Sequence, residues 1–140
     1  MEFNKILVPV IGTEADEEAI KLACQLAKKD KGKIRAVYVI TVKRALPLEA
    51  EIGSEIRKAE EILDRMERVA EEQDYEVETE LLQSREVGPT VVDEAVEQGV
   101  TLILIGIKYK RRFGQFSLGS VVPYVLKNAP CRVMLYHQPT

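Results

Sequence analysis

Histidine is almost missing from this 140-residue chain: His137, near the C-terminus, is the only one. A histidine-based metal centre or a Ser-His-Asp triad therefore lacks the side chains to build it. Cysteine is also scarce. Cys24 and Cys131 stand far apart, so no metal-binding spacing or disulfide framework exists, and both thiols read as small core residues. A Cys24 to Cys131 bridge stays open without support from the spacing. No apolar run approaches bilayer length, and the opening MEFNKILVPV lacks a basic region followed by a long apolar stretch and a cleavage site. The expected setting is the cytoplasm, with no membrane partner. A net charge of -3 supplies no general attraction to nucleic acid.

What is present is a globular composition, 46% hydrophobic and 31% charged, of a size that buries one core without metals or disulfides. Residues 5 to 11, KILVPVI, read as a buried strand closed by Gly12, after which Thr13 can cap a helix. Ala15, Ala19, Leu22, Ala23, Leu26 and Ala27 repeat at helical spacing from Glu14 to about Lys29, with acids in the first turn and lysines in the last. Glu14 and Asp16 read as first-turn residues favoured by the helix dipole. Residues 34 to 42 are β-branched and predict a second strand. Residues 55 to 73 carry Ile56, Ala59, Ile62, Leu63, Met66, Val69 and Ala70 on one helical stripe. Residues 76 to 83 alternate as an edge strand does. Pro89 suits the first turn of a helix running to about Gln98 and stopped by Gly99.

Residues 100 to 105 predict a fourth strand, 119 to 128 a last helix and 131 to 136 a fifth strand, with His137 to Thr140 as a loose tail. Strand and helix thus alternate four times and close on a strand. Right-handed crossovers turn that order into an open parallel sheet with helices on both faces. In a sheet of order 3-2-1-4-5, strand order reverses between strands 1 and 4, where the loops at Ile11 to Glu14 and Gly106 to Gly119 would meet.

Residues 101 to 120, TLILIGIKYKRRFGQFSLGS, are the most informative stretch. A strand ending at Gly106 leads into a basic loop and then Gly119-Ser120, which can open a helix whose free N–H groups suit an anion. Lys108, Lys110, Arg111 and Arg112 can clamp phosphates, or form a solvated turn or a patch for an acidic partner. Tyr109, Phe113 and Phe116 interleave with them, a mixture that also stacks single-stranded bases; the acidic remainder of the chain argues against that reading. Phe113, Phe116 and Leu118 can instead form an apolar lid. Ser120 and Thr13 each serve equally as plain helix caps. No carboxylate pair or activated thiol falls at the reversal point, so no enzyme activity beyond slow, unassisted hydrolysis of a bound phosphate ligand is expected.

The opening KILVPVIGTEADEEAIKLACQLA and the closing GSVVPYVLKNAPCRVMLY, with Ala129-Pro130-Cys131 at a common junction, resemble the universal stress protein family along residues 1–140, as one domain. The resemblance implies a Rossmann-like α/β sheet of order 3-2-1-4-5, related to the adenine nucleotide alpha hydrolases, and a homodimer, which pairing of the apolar last strand would also favour. In one branch of the family it implies ATP, possible Mg2+ with it, and a phosphate motif matched here at Gly106, Gly119 and Ser120. Pro9, Val10, Val39 and Val121 are further pocket positions on this resemblance, Val10 and Val39 being equally ordinary sheet core. Two positions depart from the branch: Tyr109 replaces a glycine and Ile11 replaces an aspartate that contacts the nucleotide. Two lost contacts of roughly 0.5 to 1.5 kcal/mol each weaken binding by about one or two powers of ten. The rival expectation is a dimeric interaction module whose pocket Ile11 and Tyr109 have filled.

Overall fold

The computed structural model describes residues 3–108, 111–112, 115–116 and 119–138, with backbone alone for the second and third of these ranges. Five strands, β1 (Lys5–Pro9), β2 (Lys33–Thr41), β3 (Glu78–Ser84), β4 (Leu102–Ile107) and β7 (Arg132–His137), form one sheet of order β3-β2-β1-β4-β7. Every neighbouring pair in it is parallel. Helices α1 (Glu14–Lys28), α2 (Gly53–Glu72), α3 (Val87–Gln98) and α4 (Val121–Asn128) make the crossovers. The expected strand order and helix count are both present.

The central strand explains why the sheet is covered on both sides. Ile6 and Val8 join the residues of α1 and α2 in one core, while Leu7, with Val37, Ile103 and Ile105, joins those of α3 and α4 in the other. Successive side chains of a strand point to opposite faces, so a run such as ILV has to be apolar throughout. Cys24 packs in the first layer and Cys131 against the second, and both are free. The sheet itself lies between the two thiols and rules out a bridge between them.

Several boundaries differ from the sequence expectation for local reasons. β1 stops at Pro9 because Gly12 turns the chain at φ +105 and the N–H groups of residues 11 to 13 bond elsewhere. β4 starts at Leu102 rather than residue 100, since the Val100 N–H is still closing α3 on the Ala95 carbonyl, after Gly99 at φ +63. Helix α4 starts at Val121, not 119, because Gly119 is left-handed at φ +70. The expected tail is partly strand: His137 ends β7, the Gln138 N–H donates to the Ile107 carbonyl, and its side chain reaches Glu14 at 3.2 Å. An unexpected antiparallel pair of short strands, β5 (Arg111–Arg112) and β6 (Gln115–Phe116), interrupts the basic loop. Among the described residues, no helix is long and apolar enough to cross a membrane.

Candidate functional site

The reversal of strand order does bring the two distant loops together. A hollow of about 350 Å³ is lined by Pro9, Val10 and Ile11 after β1, by Val39 of β2, and by Gly106, Lys108, Gly119, Ser120 and Val121 from β4 onward. Tyr109, Lys110, Phe113 and Leu118 lie outside the described residues, as do the side chains of Arg111, Arg112 and Phe116. The walls are mainly aliphatic, because Val37, Val87, Ile105 and Ile107 complete them. Ile11 does not fill this space. Its side chain stands on the rim, 68% exposed, so the expectation of a pocket plugged by Ile11 is corrected.

The first loop is organised by a residue whose role the sequence reading understated. Asp16 is 2% exposed, and its Oδ2 accepts the N–H groups of Ile11 at 2.8 Å, Gly12 at 2.8 Å and Thr13 at 3.0 Å. The Thr13 hydroxyl in turn accepts the Asp16 N–H at 3.1 Å, completing a reciprocal capping box at the start of α1. Burial pushes the Asp16 carboxyl above its ordinary value, and the N–H donors from Ile11, Thr13 and Gly12 pull it back. Arg65 of α2 adds a clamp from outside, donating to the Gly12 carbonyl at 2.6 Å. The anion held by this turn is therefore the protein's own carboxylate, and the three amides have no room for a ligand. Thr-x-x-Asp ahead of an apolar run was the available signal.

The second loop contrasts with it. Ser120 is the N-cap of α4, yet its side chain makes no capping bond. The expectation of a plain serine cap is thus not met. Gly119 approaches this end in the left-handed region, with no atom of the described residues within 4 Å of where a Cβ would stand. Pro123, at the third helical position, has no N–H, so the first-turn amides without an intrahelical acceptor include those of Val121 and Val122, both residues lining the hollow. The positive end of a helix dipole and the exposed Lys108 thus face one cavity.

Gly106 has a different reason to be glycine. A Cβ there would strike the Ala15 carbonyl group, standing 2.6 Å from its carbon and 3.0 Å from the Asp16 nitrogen. The first turn of α1 rests directly on β4, and that approach sets the height of the Asp16 turn above the sheet. No group of three or more carboxylate, imidazole or thiol side chains able to hold a metal occurs among the described residues.

Comparison with known proteins agrees with this architecture. A universal stress protein of Methanocaldococcus jannaschii is 32% identical over 143 residues, covering 98% of this chain and 84% of its own. The structure of the universal stress protein from Archaeoglobus fulgidus in complex with dAMP superposes with a TM-score of 0.76 at 24% identity, covering 96% of this chain and 98% of that one. A universal stress protein family protein from Arabidopsis thaliana with AMP bound superposes with a TM-score of 0.70 at 16% identity, covering 98% and 93%. The model of the universal stress protein family matches residues 2–137, nearly the whole length over which the strand order and the two loops are laid out, and the chain belongs to that family.

Proposed function

We propose that the hollow binds an adenine nucleotide, ATP included, with the base against the aliphatic walls and the phosphates at the start of α4. The observation that carries this reading is the pairing of an apolar cavity of about 350 Å³ with an uncapped helix N-terminus at Ser120. Lys108 supplies a cation beside it. Related proteins of the same fold hold dAMP and AMP. Mg2+, where it takes part, would be carried by the phosphates, and Ser120, a lining residue of the hollow, offers a hydroxyl for it. Ile11 presents no acceptor, which lowers affinity without closing the site.

The same reading includes a homodimer formed through β7, an edge of the sheet. It also includes a cytoplasmic setting, and a role in which nucleotide occupancy conveys a stress signal to a protein partner. No catalytic group is assigned, and any hydrolysis is slow.

Isothermal titration of nucleotide-stripped protein with ATP, with and without Mg2+, tests the site. The expected result is saturable binding with a Kd below about 100 μM. Gly119→Val, which forces a β-branched residue to a φ of +70, should weaken it more than about tenfold. Ser120→Ala should weaken it by a smaller factor. No heat at about 1 mM ATP would overturn the reading in favour of a non-nucleotide interaction module. Sedimentation at the mass of a single chain would remove the dimer.

A further inference from the structure

Residues 42 to 52 join β2 to α2, and from 43 to 49 every residue is exposed. Two turns close inside this loop, with the Leu46 N–H on the Lys43 carbonyl at 2.9 Å and the Ala50 N–H on the Pro47 carbonyl at 3.0 Å. Its leucines do not anchor it, since Leu46 is 38% and Leu48 42% exposed. Two side chains at the end of β3 do. Gln83 Nε2 donates to the carbonyls of Leu48 at 3.0 Å and Ala50 at 2.9 Å. Arg85, the residue after β3, donates from Nη1 to the carbonyls of Val42 at 3.1 Å and Lys43 at 2.5 Å, and from Nη2 to that of Leu46 at 2.9 Å.

A guanidinium is a rigid fork of donors, and here it spans three backbone acceptors that a single ammonium could not hold in the same way. Arg85 also stands between two walls of the hollow. On one side is Val39 of β2, opposite Leu82 of β3, and the ladder between these strands continues through Thr41 and Ser84 to the Val42 N–H, which donates to the Ser84 carbonyl at 2.8 Å. The Val42 carbonyl then meets Arg85. On the other side is Val87, the first residue of α3, with only Arg85 and Glu86 between it and the end of β3. The Glu86 carbonyl accepts the Ser84 hydroxyl at 2.9 Å and the Thr90 hydroxyl at 2.8 Å, which leaves this junction little slack. Val39 and Val87 both line the hollow and both pack against the same apolar cluster.

We propose that Arg85 is a positioning residue of the hollow: by gripping the chain that leaves β2 while sitting in the junction that leads into α3, it fixes Val39 and Val87 relative to each other and so sets the width left for the ligand. The consequence for binding rests on the reading of the hollow as a nucleotide site, where these two side chains are part of the aliphatic wall against which the base packs. Arg85 acts there without touching the ligand. Small displacements of a packed wall weaken a flat ring's contacts along its whole face, because dispersion falls off steeply with separation. Gln83 grips the same loop farther from Val39, at Leu48 and Ala50, and so has no such role.

The test measures the wall and the binding separately, in the full chain. Arg85→Met removes every donor, whereas Arg85→Lys keeps the charge on one ammonium in place of the fork. In the ligand-free Arg85→Met protein, the NMR methyl signals of Val39 and Val87 should move, while those of Val8 and Ile20 in the other core layer stay in place. The urea midpoint should remain near that of the wild type, since Arg85 lies at the surface. Isothermal titration with ATP should give a Kd raised about fivefold in Arg85→Met, and Arg85→Lys should recover less than half of that change. Gln83→Ala should alter neither the methyl signals nor the Kd. Val39 and Val87 signals that keep their wild-type positions in Arg85→Met would overturn the proposal. Equal displacement in Gln83→Ala would do the same by assigning the wall to the loop as a whole. Wild-type affinity in Arg85→Lys beside displaced methyl signals would reduce Arg85 to its charge and also overturn it, as would an unchanged Kd in Arg85→Met. If the wild type gives no heat with ATP, the nucleotide reading falls, and the methyl signals alone decide whether Arg85 holds the wall.

Discussion

Replacing Gly106 with alanine should lower unfolding stability by about 3 kcal/mol, the upper part of the range for overpacking a tight contact. The added methyl would meet backbone, the Ala15 carbonyl group and the Asp16 nitrogen, and backbone in the first turn of a helix cannot rotate away as a side chain can. Relief requires α1 to lift from β4, which strips apolar contact from Ala19 and Ala23 at the same time. Gly119→Ala is the comparison. At Gly119 no atom of the described residues stands within 4 Å of a Cβ, and the left-handed φ of +70 opposes it, so the loss should be about 1 kcal/mol. Urea denaturation of the two variants beside the wild type measures both. Equal, small losses would mean that α1 does not rest on β4 as described.

Replacing Asp16 with alanine should cost about as much, again about 3 kcal/mol, by a different mechanism. Three backbone N–H groups, those of Ile11, Gly12 and Thr13, lose their acceptor together, and each unsatisfied buried group costs about 1 to 3 kcal/mol before the turn relaxes toward water. Asp16→Asn retains an oxygen acceptor in the same place and should recover more than half of the loss. Thr13→Ala removes one acceptor at the helix start and should cost about 1 kcal/mol. Urea unfolding gives the energies, and amide hydrogen exchange at Ile11, Gly12 and Thr13 gives the location, since protection there should fall in Asp16→Ala more than in Thr13→Ala. If those three amides remain protected in Asp16→Ala, another acceptor holds the turn.

The two variants also separate two uses of glycine that look alike in sequence. Gly106 and Gly119 occupy the same phosphate-type motif, yet Gly106 is glycine because a helix start lies on it, while Gly119 is glycine because its backbone is left-handed beside the hollow. Only Gly119 is expected to alter ligand binding more than stability. A motif records which residue stands at a position, whereas the reason for it depends on what the chain brings alongside.

The buried strands, the amphipathic helices and the order in which they alternate were legible in the chain, since ILV in β1, IRAVYVIT in β2 and the stripe from Ile56 to Ala70 are local patterns whose period does not depend on the rest of the fold. With the handedness of crossovers, that local information was enough for an open parallel sheet with helices on both faces, whereas the strand order, and with it the edge where two loops meet, came from the family resemblance. Two things depended on contacts between residues far apart: the capture of the first loop's amides by Asp16 with Arg65 clamping the turn from α2, and the hollow beside an exposed Ile11. Periodicity locates a side chain on a face, but whether an acid there meets water or a backbone amide is set by the packing of separate elements, and only the tertiary structure decides it.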